Sequence, residues 1–118
     1  MNKRKVGADK EFLAAAFLEK QGVTILEHNF RNRSGEIDLI GRDGEYLVFF
    51  EVKFRHNADM GHPEEAVGYA KQRQICRVAD YYRYVKGFSS QTAVRYDVIA
   101  IEGEQMRWVK NAFSHQNR

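Results

Sequence analysis

The chain has 118 residues, of which 43% are apolar and 13% aromatic, and it contains a single proline. This composition excludes intrinsic disorder, because disordered chains lack the apolar surface that offsets the entropy of an ordered backbone. The length predicts one domain that covers residues 1–118. The net charge of +3 permits a polyanionic partner but is too small to identify one.

The sequence also limits where the protein works. No apolar segment follows the basic N-terminus, and no stretch approaches the ~18 apolar residues that span a bilayer. A lone Cys76 forms no disulfide within the chain, which favours a reducing compartment. We therefore expect a cytoplasmic protein without a membrane partner.

The first predicted element is an amphipathic helix over residues 7–21, which Gly22 ends. Glu11 lies at the edge of the helix face that should pack on a sheet. Two interpretations of Glu11 remain open. It is either a first-turn glutamate favoured by the helix dipole or a carboxylate that belongs to a site.

After this helix we predict three strands, a long helix and two strands, over residues 23–32, 35–42, 45–55, 63–87, 92–103 and 105–113. Asp43-Gly44 is a hairpin signal between the second and third strands. Pro63 is predicted to start the long helix, with Val67 on its apolar stripe. The polar residues 114–118 should form a frayed tail.

The predicted hairpin has one apolar face and one charged face. Counting outward from a two-residue turn at Asp43-Gly44 sets Glu36 opposite Glu51. The apolar face collects Ile37, Leu39, Val48, Phe50, Val52 and Phe54. The other face collects Glu36, Asp38, Ile40, Phe49, Glu51 and Lys53.

Clustered acids on one hairpin face repel each other, so something must offset the repulsion. The candidates are Lys53 and a divalent cation held by carboxylate oxygens, and both can act together. Bound Mg²⁺ or Mn²⁺ would neutralise phosphate charge and lower the pKa of a bound water, which suits phosphodiester hydrolysis. Lys53 could position or deprotonate the attacking water, or stabilise charge in the transition state.

The competing interpretation is a surface hairpin whose outer face is charged without a function. Ile40 and Phe49 lie on the same face as the acids, which predicts that a helix covers this face. Buried and unpaired acids are costly, so a covered acidic face favours a functional site.

The run GEIDLIGRDGEYLVFFEVKFR, together with NFR before it and GHPEEAV and VRYDVIAI after it, resembles the YraN family of small bacterial proteins. That family is similar to the restriction-endonuclease-like, or PD-(D/E)xK, nucleases and to archaeal Holliday junction resolvases. The resemblance implies an α/β fold with a restriction-endonuclease-like core of helix, three-stranded meander, long helix and two further strands. The predicted element order agrees with this core.

The resemblance also implies roles for particular residues. Asp38 corresponds to the first catalytic acid, and Glu51 and Lys53 correspond to the E-x-K pair. Glu11 corresponds to the acid that the first helix contributes in many members, so the implied metal ligands are Asp38, Glu51 and Glu11. Glu36 would join the catalytic set as a further ligand or an outer-shell group. Lys10 stands where the family commonly has glycine.

Several basic residues could contact a phosphate backbone, and we expect this of Lys71, Arg31, Arg33 and Arg55. The remaining basic residues of the long helix are interpreted as a solvated face. Its tyrosines, Tyr69, Tyr81, Tyr82 and Tyr84, could stack on unpaired bases, although helical spacing favours core or interface positions for most of them. Asp97, two residues after Arg95, is interpreted as structural.

Three functions are consistent with these residues. The first is a metal-dependent nuclease that hydrolyses DNA, branched or damaged, in repair or recombination. The second is a non-catalytic nucleic-acid-binding module, and the third is a subunit whose hairpin face docks a protein partner. A nuclease that cuts both strands symmetrically would favour a homodimer.

Overall fold

The computed structural model describes residues 3–55 and 67–116. The helices and strands in these ranges are α1 (Lys3–Lys20), β1 (Thr24–Asn32), β2 (Gly35–Asp43), β3 (Tyr46–Arg55), α2 (Tyr69–Val85), β4 (Val94–Glu102) and β5 (Gln105–Phe113). This order of helix, three-stranded meander, helix and two strands confirms the α/β fold predicted from the sequence. None of the described helices is long and apolar enough to cross a membrane.

The strands form one sheet in the order β1-β2-β3-β4-β5. Neighbouring strands are antiparallel except β3 and β4, which are parallel. A parallel pair requires a long crossover connection, and α2 lies in this connection. The strand that carries Glu51 and Lys53 is therefore the central strand of the sheet.

Each face of the sheet has its own helix and its own apolar cluster. On one face, Ala14, Ala15 and Leu18 of α1 pack with Leu39, Val48, Phe50, Val52, Ile99 and Ile101. On the other, Ile75, Cys76, Val78, Ala79 and Tyr82 of α2 pack with Ile37, Ile40, Leu47, Phe49, Tyr96 and Val98. A helix thus covers the face that contains Ile40 and Phe49, as predicted. Burial on both faces explains the unbroken apolar run at the start of β3.

The helix boundaries differ from the predicted ones. The first helix begins at Lys3 rather than near residue 7. The second begins at Tyr69, because Gly68 before it has an extended backbone with φ −73° and ψ 170°. Val67 is buried but precedes the helix. The start predicted at Pro63 lies outside the described residues.

The predicted hairpin register is wrong by two residues. Asp43 pairs with Tyr46 and Leu39 pairs with Phe50, so the turn residues are Gly44 and Glu45. Gly44 has φ 61°, which suits the first central position of a tight hairpin turn. An even shift keeps every paired side chain on its predicted face, whereas a shift of one residue would have reversed the faces.

Of the tail predicted over residues 114–118, His115 and Gln116 contact the rest of the chain, while residues 117 and 118 lie outside the described residues. The Tyr96 hydroxyl lies 2.6 Å from His115 Nδ1, and the Gln116 backbone N–H donates to Cys76 Sγ at 3.3 Å. The rings of Tyr96 and His115 also stack. These contacts hold His115 and Gln116 against the folded domain.

Candidate metal and catalytic site

Asp38 lies where β2 and β3 separate. Their backbone pairing reaches Leu39 and Phe50, and beyond this point the Val52 N–H donates to Asp38 Oδ2 at 2.8 Å. The Asp38 side chain thus accepts a hydrogen bond from the β3 backbone, a role that a β2 backbone carbonyl has in a regular pair of strands. This contact fixes one carboxylate oxygen of Asp38.

The regular alternation of β2 breaks at the same place. Ile37 packs in the cluster under α2, while Leu39 packs in the cluster under α1. The prediction that these two residues share a face is therefore wrong, and Phe54, predicted on the same apolar face, is 39% exposed. At this point the Asp38 side chain, and not the β2 backbone, accepts the hydrogen bond from the β3 N–H. Residues of β2 beyond Leu39 are not paired with β3, so their side chains need not follow the alternation of the paired residues.

Three carboxylates converge beside this break. Glu11, Glu36 and Asp38 each offer one oxygen, and these oxygens lie within 4.8 Å of one another. All three residues are half-buried. The first comes from α1 and the other two from β2, so the helix and the strand must pack together to form the cluster. The structure thus brings together three of the predicted site residues.

The environment of Glu11 disfavours its charged form. Burial, followed by the charge of Asp38, raises the pKa of Glu11 to about 7. A hydrogen bond from Asn29 acts in the opposite direction. Asn29 was missed by the sequence reasoning, and its φ of 51° is a conformation that asparagine tolerates better than most residues. A metal-free cluster therefore retains protons more readily than isolated acids do.

Glu51 is 6% exposed and lies on the central strand. Its Oε1 is 3.7 Å from Lys53 Nζ and 4.0 Å from Lys71 Nζ. Its Oε2 is buried and has no hydrogen-bond partner among the described residues. Burial and the charge of Asp38 raise the pKa of Glu51 to about 7, although the nearby lysines lower it.

These donors suit a hard divalent cation. Mg²⁺ and Mn²⁺ prefer carboxylate oxygens, and the buried Glu51 Oε2 is an acceptor that still needs a partner. The oxygens that lie within 4.8 Å of one another belong to Glu11, Glu36 and Asp38. The charge of Asp38 also acts on Glu51, whose pKa it raises. The structure thus places Glu36 with two of the predicted ligands, Asp38 and Glu11, whereas the third predicted ligand, Glu51, lies outside this group.

A third lysine, which the sequence analysis noted only as a departure from the family pattern, also reaches this region. Lys10 Nζ donates to the Val52 carbonyl at 3.4 Å, and its charge lowers the pKa of Glu51. Adjacent residues on a helix point in different directions, so the spacing of Lys10 and Glu11 did not indicate that both approach the site.

The residues expected to bind nucleic acid take different positions. Lys71 lies beside Glu51, and Arg31 Nε lies 3.6 Å from Glu36 Oε1. Arg33 is exposed and lines a separate cavity between the β1–β2 turn and α2. Arg55 ends β3, and its side chain lies outside the described part of the structure. Two of the four predicted cations therefore contact the acids directly.

Residues 10–101 match the profile of the "Uncharacterised protein family UPF0102". A UPF0102 protein of Lachnoclostridium phytofermentans is 47% identical over 113 residues, which are 96% of each chain. One from Marinobacter nauticus is 42% identical over 114 residues, or 92% of each chain. One from Dechloromonas aromatica is 43% identical over 108 residues, which cover 92% of this chain and 88% of that protein. The chain therefore belongs to family UPF0102, the YraN family that its motifs resemble.

Proposed function

We propose that the protein is a metal-dependent nuclease that hydrolyses DNA phosphodiester bonds, with branched or damaged DNA in repair or recombination as its substrate. One observation carries the proposal. The buried Glu51 has an oxygen without a partner among the described residues, and it lies on the strand next to the cluster of Glu11, Glu36 and Asp38.

A structural role does not explain this arrangement well. Half-buried acids whose oxygens lie within 4.8 Å of one another repel when ionised. Burial adds to the cost for Glu51, because a carboxylate removed from water needs a charge or hydrogen bonds to replace its hydration. A divalent cation would offset both costs, and when bound it would neutralise phosphate charge and lower the pKa of a coordinated water.

The chain's own residues supply the rest of the chemistry. Glu11, Glu36 and Asp38 would hold the cation, with Asp38 oriented by the Val52 N–H, and the free Oε2 of Glu51 would complete the set. Lys53, whose ammonium lies 3.7 Å from Glu51 and is partly exposed, would position the attacking water or stabilise the charge that develops on the phosphate. Lys71 on α2 would bind the phosphate backbone close to the same acids.

A second function is favoured by a different observation. Lys53 and Lys71 both lie within 4.0 Å of Glu51 Oε1, so they offset part of its charge without a metal ion. The same fold could then bind nucleic acid without cutting it. In that case binding would weaken with salt and no cleavage would follow.

The experiment is a cleavage screen of purified protein on linear duplex, single-stranded, flapped and four-way DNA and on RNA. We expect cleavage with Mg²⁺ or Mn²⁺, none with a chelator, and none from Asp38→Asn, which keeps an oxygen for the Val52 N–H but loses a charge. Binding without cleavage by the wild type on every substrate would favour the second function. A cytoplasmic location and a homodimer stay predictions, which localisation and a mass measurement by light scattering would test.

A further inference from the structure

A cavity of about 600 Å³ lies between the β1–β2 turn and the outer side of α2. Its lining residues are Arg31, Asn32, Arg33, Ser34, Arg77 and Tyr81. Three of these six are arginines and none is acidic, so the cavity is strongly cationic. A volume of this size is in the range of small-ligand sites, roughly 300–1,000 Å³.

Contacts within the β1–β2 turn and between the turn and α2 shape the walls of the cavity. The Ser34 N–H donates to Asn32 Oδ1 at 2.8 Å, which orders the turn. The following Gly35 lies so close to α2 that an added Cβ would meet the Gln74 side chain at 2.6 Å. Arg77 and Tyr81 are four residues apart on α2 and therefore share one side of the helix. The concave shape thus belongs to the folded domain.

Tyr81 gives the cavity an aromatic surface. Its side chain is 47% exposed, and its ring lies 6.2 Å from Phe30, centroid to centroid. Tyr82, the next residue, is buried in the core with 2% exposure. Core or interface positions were expected for most tyrosines of this helix, and Tyr82 thus has a core position, whereas Tyr81 is exposed. An exposed ring supported from one side is a suitable platform for stacking a nucleobase.

The contact between Arg31 and Glu36 connects the cavity to the carboxylate cluster of Glu11, Glu36 and Asp38. Arg31 lines the cavity and also approaches Glu36, which belongs to the carboxylate cluster. Neither Arg33 nor Arg77 forms an ion pair with another described residue, so their charges are available to a ligand. A strand whose phosphate lies at the acids could therefore extend directly into the cavity.

We propose that this cavity binds an unpaired nucleotide of the substrate, with its base stacked on Tyr81 and its phosphates held by Arg31, Arg33 and Arg77. The inference rests on the proposed function in taking nucleic acid as the ligand, and it adds that the substrate has a single-stranded segment beside the scissile phosphate. A duplex presents its bases stacked and paired, so it could use the arginines but not the aromatic platform.

The test is fluorescence anisotropy in a chelator with two labelled probes of equal length, oligothymidylate and a blunt duplex. We expect Tyr81→Ala to weaken oligothymidylate binding about tenfold and to leave duplex binding unchanged. Tyr81→Phe should keep the wild-type affinity, since stacking needs the ring and not the hydroxyl. Tyr84→Ala is the matched control, because Tyr84 is 85% exposed on the same helix and does not line the cavity.

The arginines should behave differently from the tyrosine. Arg33→Gln and Arg77→Gln should weaken both probes and reduce the slope of log affinity against log salt by about one each. Equal losses on the two probes for Tyr81→Ala, or an equal loss for Tyr84→Ala, would overturn the inference. So would full displacement of oligothymidylate by polyglutamate at equal charge, which would indicate an acidic peptide as the ligand.

Cleavage measurements separate this inference from the proposed function. If the wild type cuts DNA with Mg²⁺ and Tyr81→Ala cuts and binds like the wild type, the cavity assignment is overturned and the nuclease stands. If the wild type cuts nothing but its preference for oligothymidylate depends on Tyr81, the nuclease is overturned and the cavity assignment is supported.

Discussion

Two buried carboxylates in this domain have contrasting surroundings. Asp97 on β4 is fully buried, and both of its oxygens have partners. Its Oδ1 accepts from Arg95 Nε at 3.0 Å and from the Asn111 backbone N–H at 2.8 Å, and its Oδ2 accepts from Trp108 Nε1 at 2.9 Å. Glu51 on β3 is nearly as buried, yet its Oε2 has no hydrogen-bond partner among the described residues.

The difference separates a structural acid from an acid that is available to a ligand. Asp97 uses its hydrogen-bonding capacity to join β4 to β5, so it has little left for other chemistry. Glu51 keeps an open oxygen next to further acids, at a cost to the metal-free fold. Burial alone is therefore a poor guide to function, and the number of satisfied oxygens is a better one.

The largest effect on stability should come from the satisfied acid. Asp97→Ala removes one of the two carboxylates paired with the half-buried Arg95, which keeps Asp43, and it leaves the Trp108 and Asn111 donors unpaired. We therefore expect a loss of about 2–4 kcal/mol in the free energy of unfolding. Chemical denaturation measures this. Asp80→Ala, which removes a half-exposed carboxylate, is the control and should cost less than about 1 kcal/mol. Similar losses in the free energy of unfolding for the two variants would contradict the structural role of Asp97.

Among the basic residues, the largest effect on activity should come from Lys53. Lys53→Met keeps the length of the side chain and removes its charge, so we expect cleavage to fall roughly 100- to 1,000-fold, as for the loss of one transition-state donor. Metal binding should persist, because lysine is not a ligand. The exposed Lys20 at the end of α1 provides the control substitution, Lys20→Met. Unchanged cleavage by Lys53→Met would exclude the assigned role.

Glu51→Gln should separate stability from metal binding. The pKa of Glu51 is raised to about 7, so a neutral isostere should change the free energy of unfolding at neutral pH by less than about 1 kcal/mol. Calorimetry should show metal affinity weakened about 10- to 100-fold, the size expected for groups that support a metal site. Destabilisation as large as that of Asp97→Ala would show that Glu51 is structural instead.

The metal-free protein should also show a pH dependence of its stability. Glu11 and Glu51 have pKa values raised from 4.5 to about 7, so the folded state binds more protons than the unfolded state between these values. Their contribution to stability is thus fully present below about pH 4.5 and is lost as the pH rises through about 7. Chemical denaturation at several pH values, with a chelator present, should show this fall in the free energy of unfolding, and Glu51→Gln should make the fall smaller. A free energy of unfolding that rises with pH between about 4.5 and 7, and that does so less in Glu51→Gln, would contradict the raised pKa values.

Much of the fold could be predicted from the sequence because local patterns determine it. The faces of the paired hairpin residues follow from two-residue periodicity and were unaffected by a register error of two positions, whereas Ile37, beyond the pairing, lies on the other face. The boundary at Gly68 was missed, since a buried Val67 fits a helical stripe as well as the segment before a helix.

The site was less predictable than the fold. The alternation of side chains along the strands predicted that Asp38 and Glu51 share a face. It did not predict that the Asp38 side chain accepts a hydrogen bond from the Val52 N–H where β2 and β3 separate. No periodic signal reports such a break in a ladder. The contributions of Lys10 and Asn29 depend on how α1 and β1 approach the same point, which only the tertiary structure defines.

Calorimetric titration of the wild type with Mn²⁺ tests most directly whether these acids form a metal site. We predict saturable binding at or below millimolar concentration, lost in Asp38→Asn and retained in the control Asp80→Asn. Asp80 is an exposed acid of α2 outside the carboxylate cluster. Absence of binding by the wild type at millimolar Mn²⁺, or equal binding by Asp38→Asn, would contradict the account.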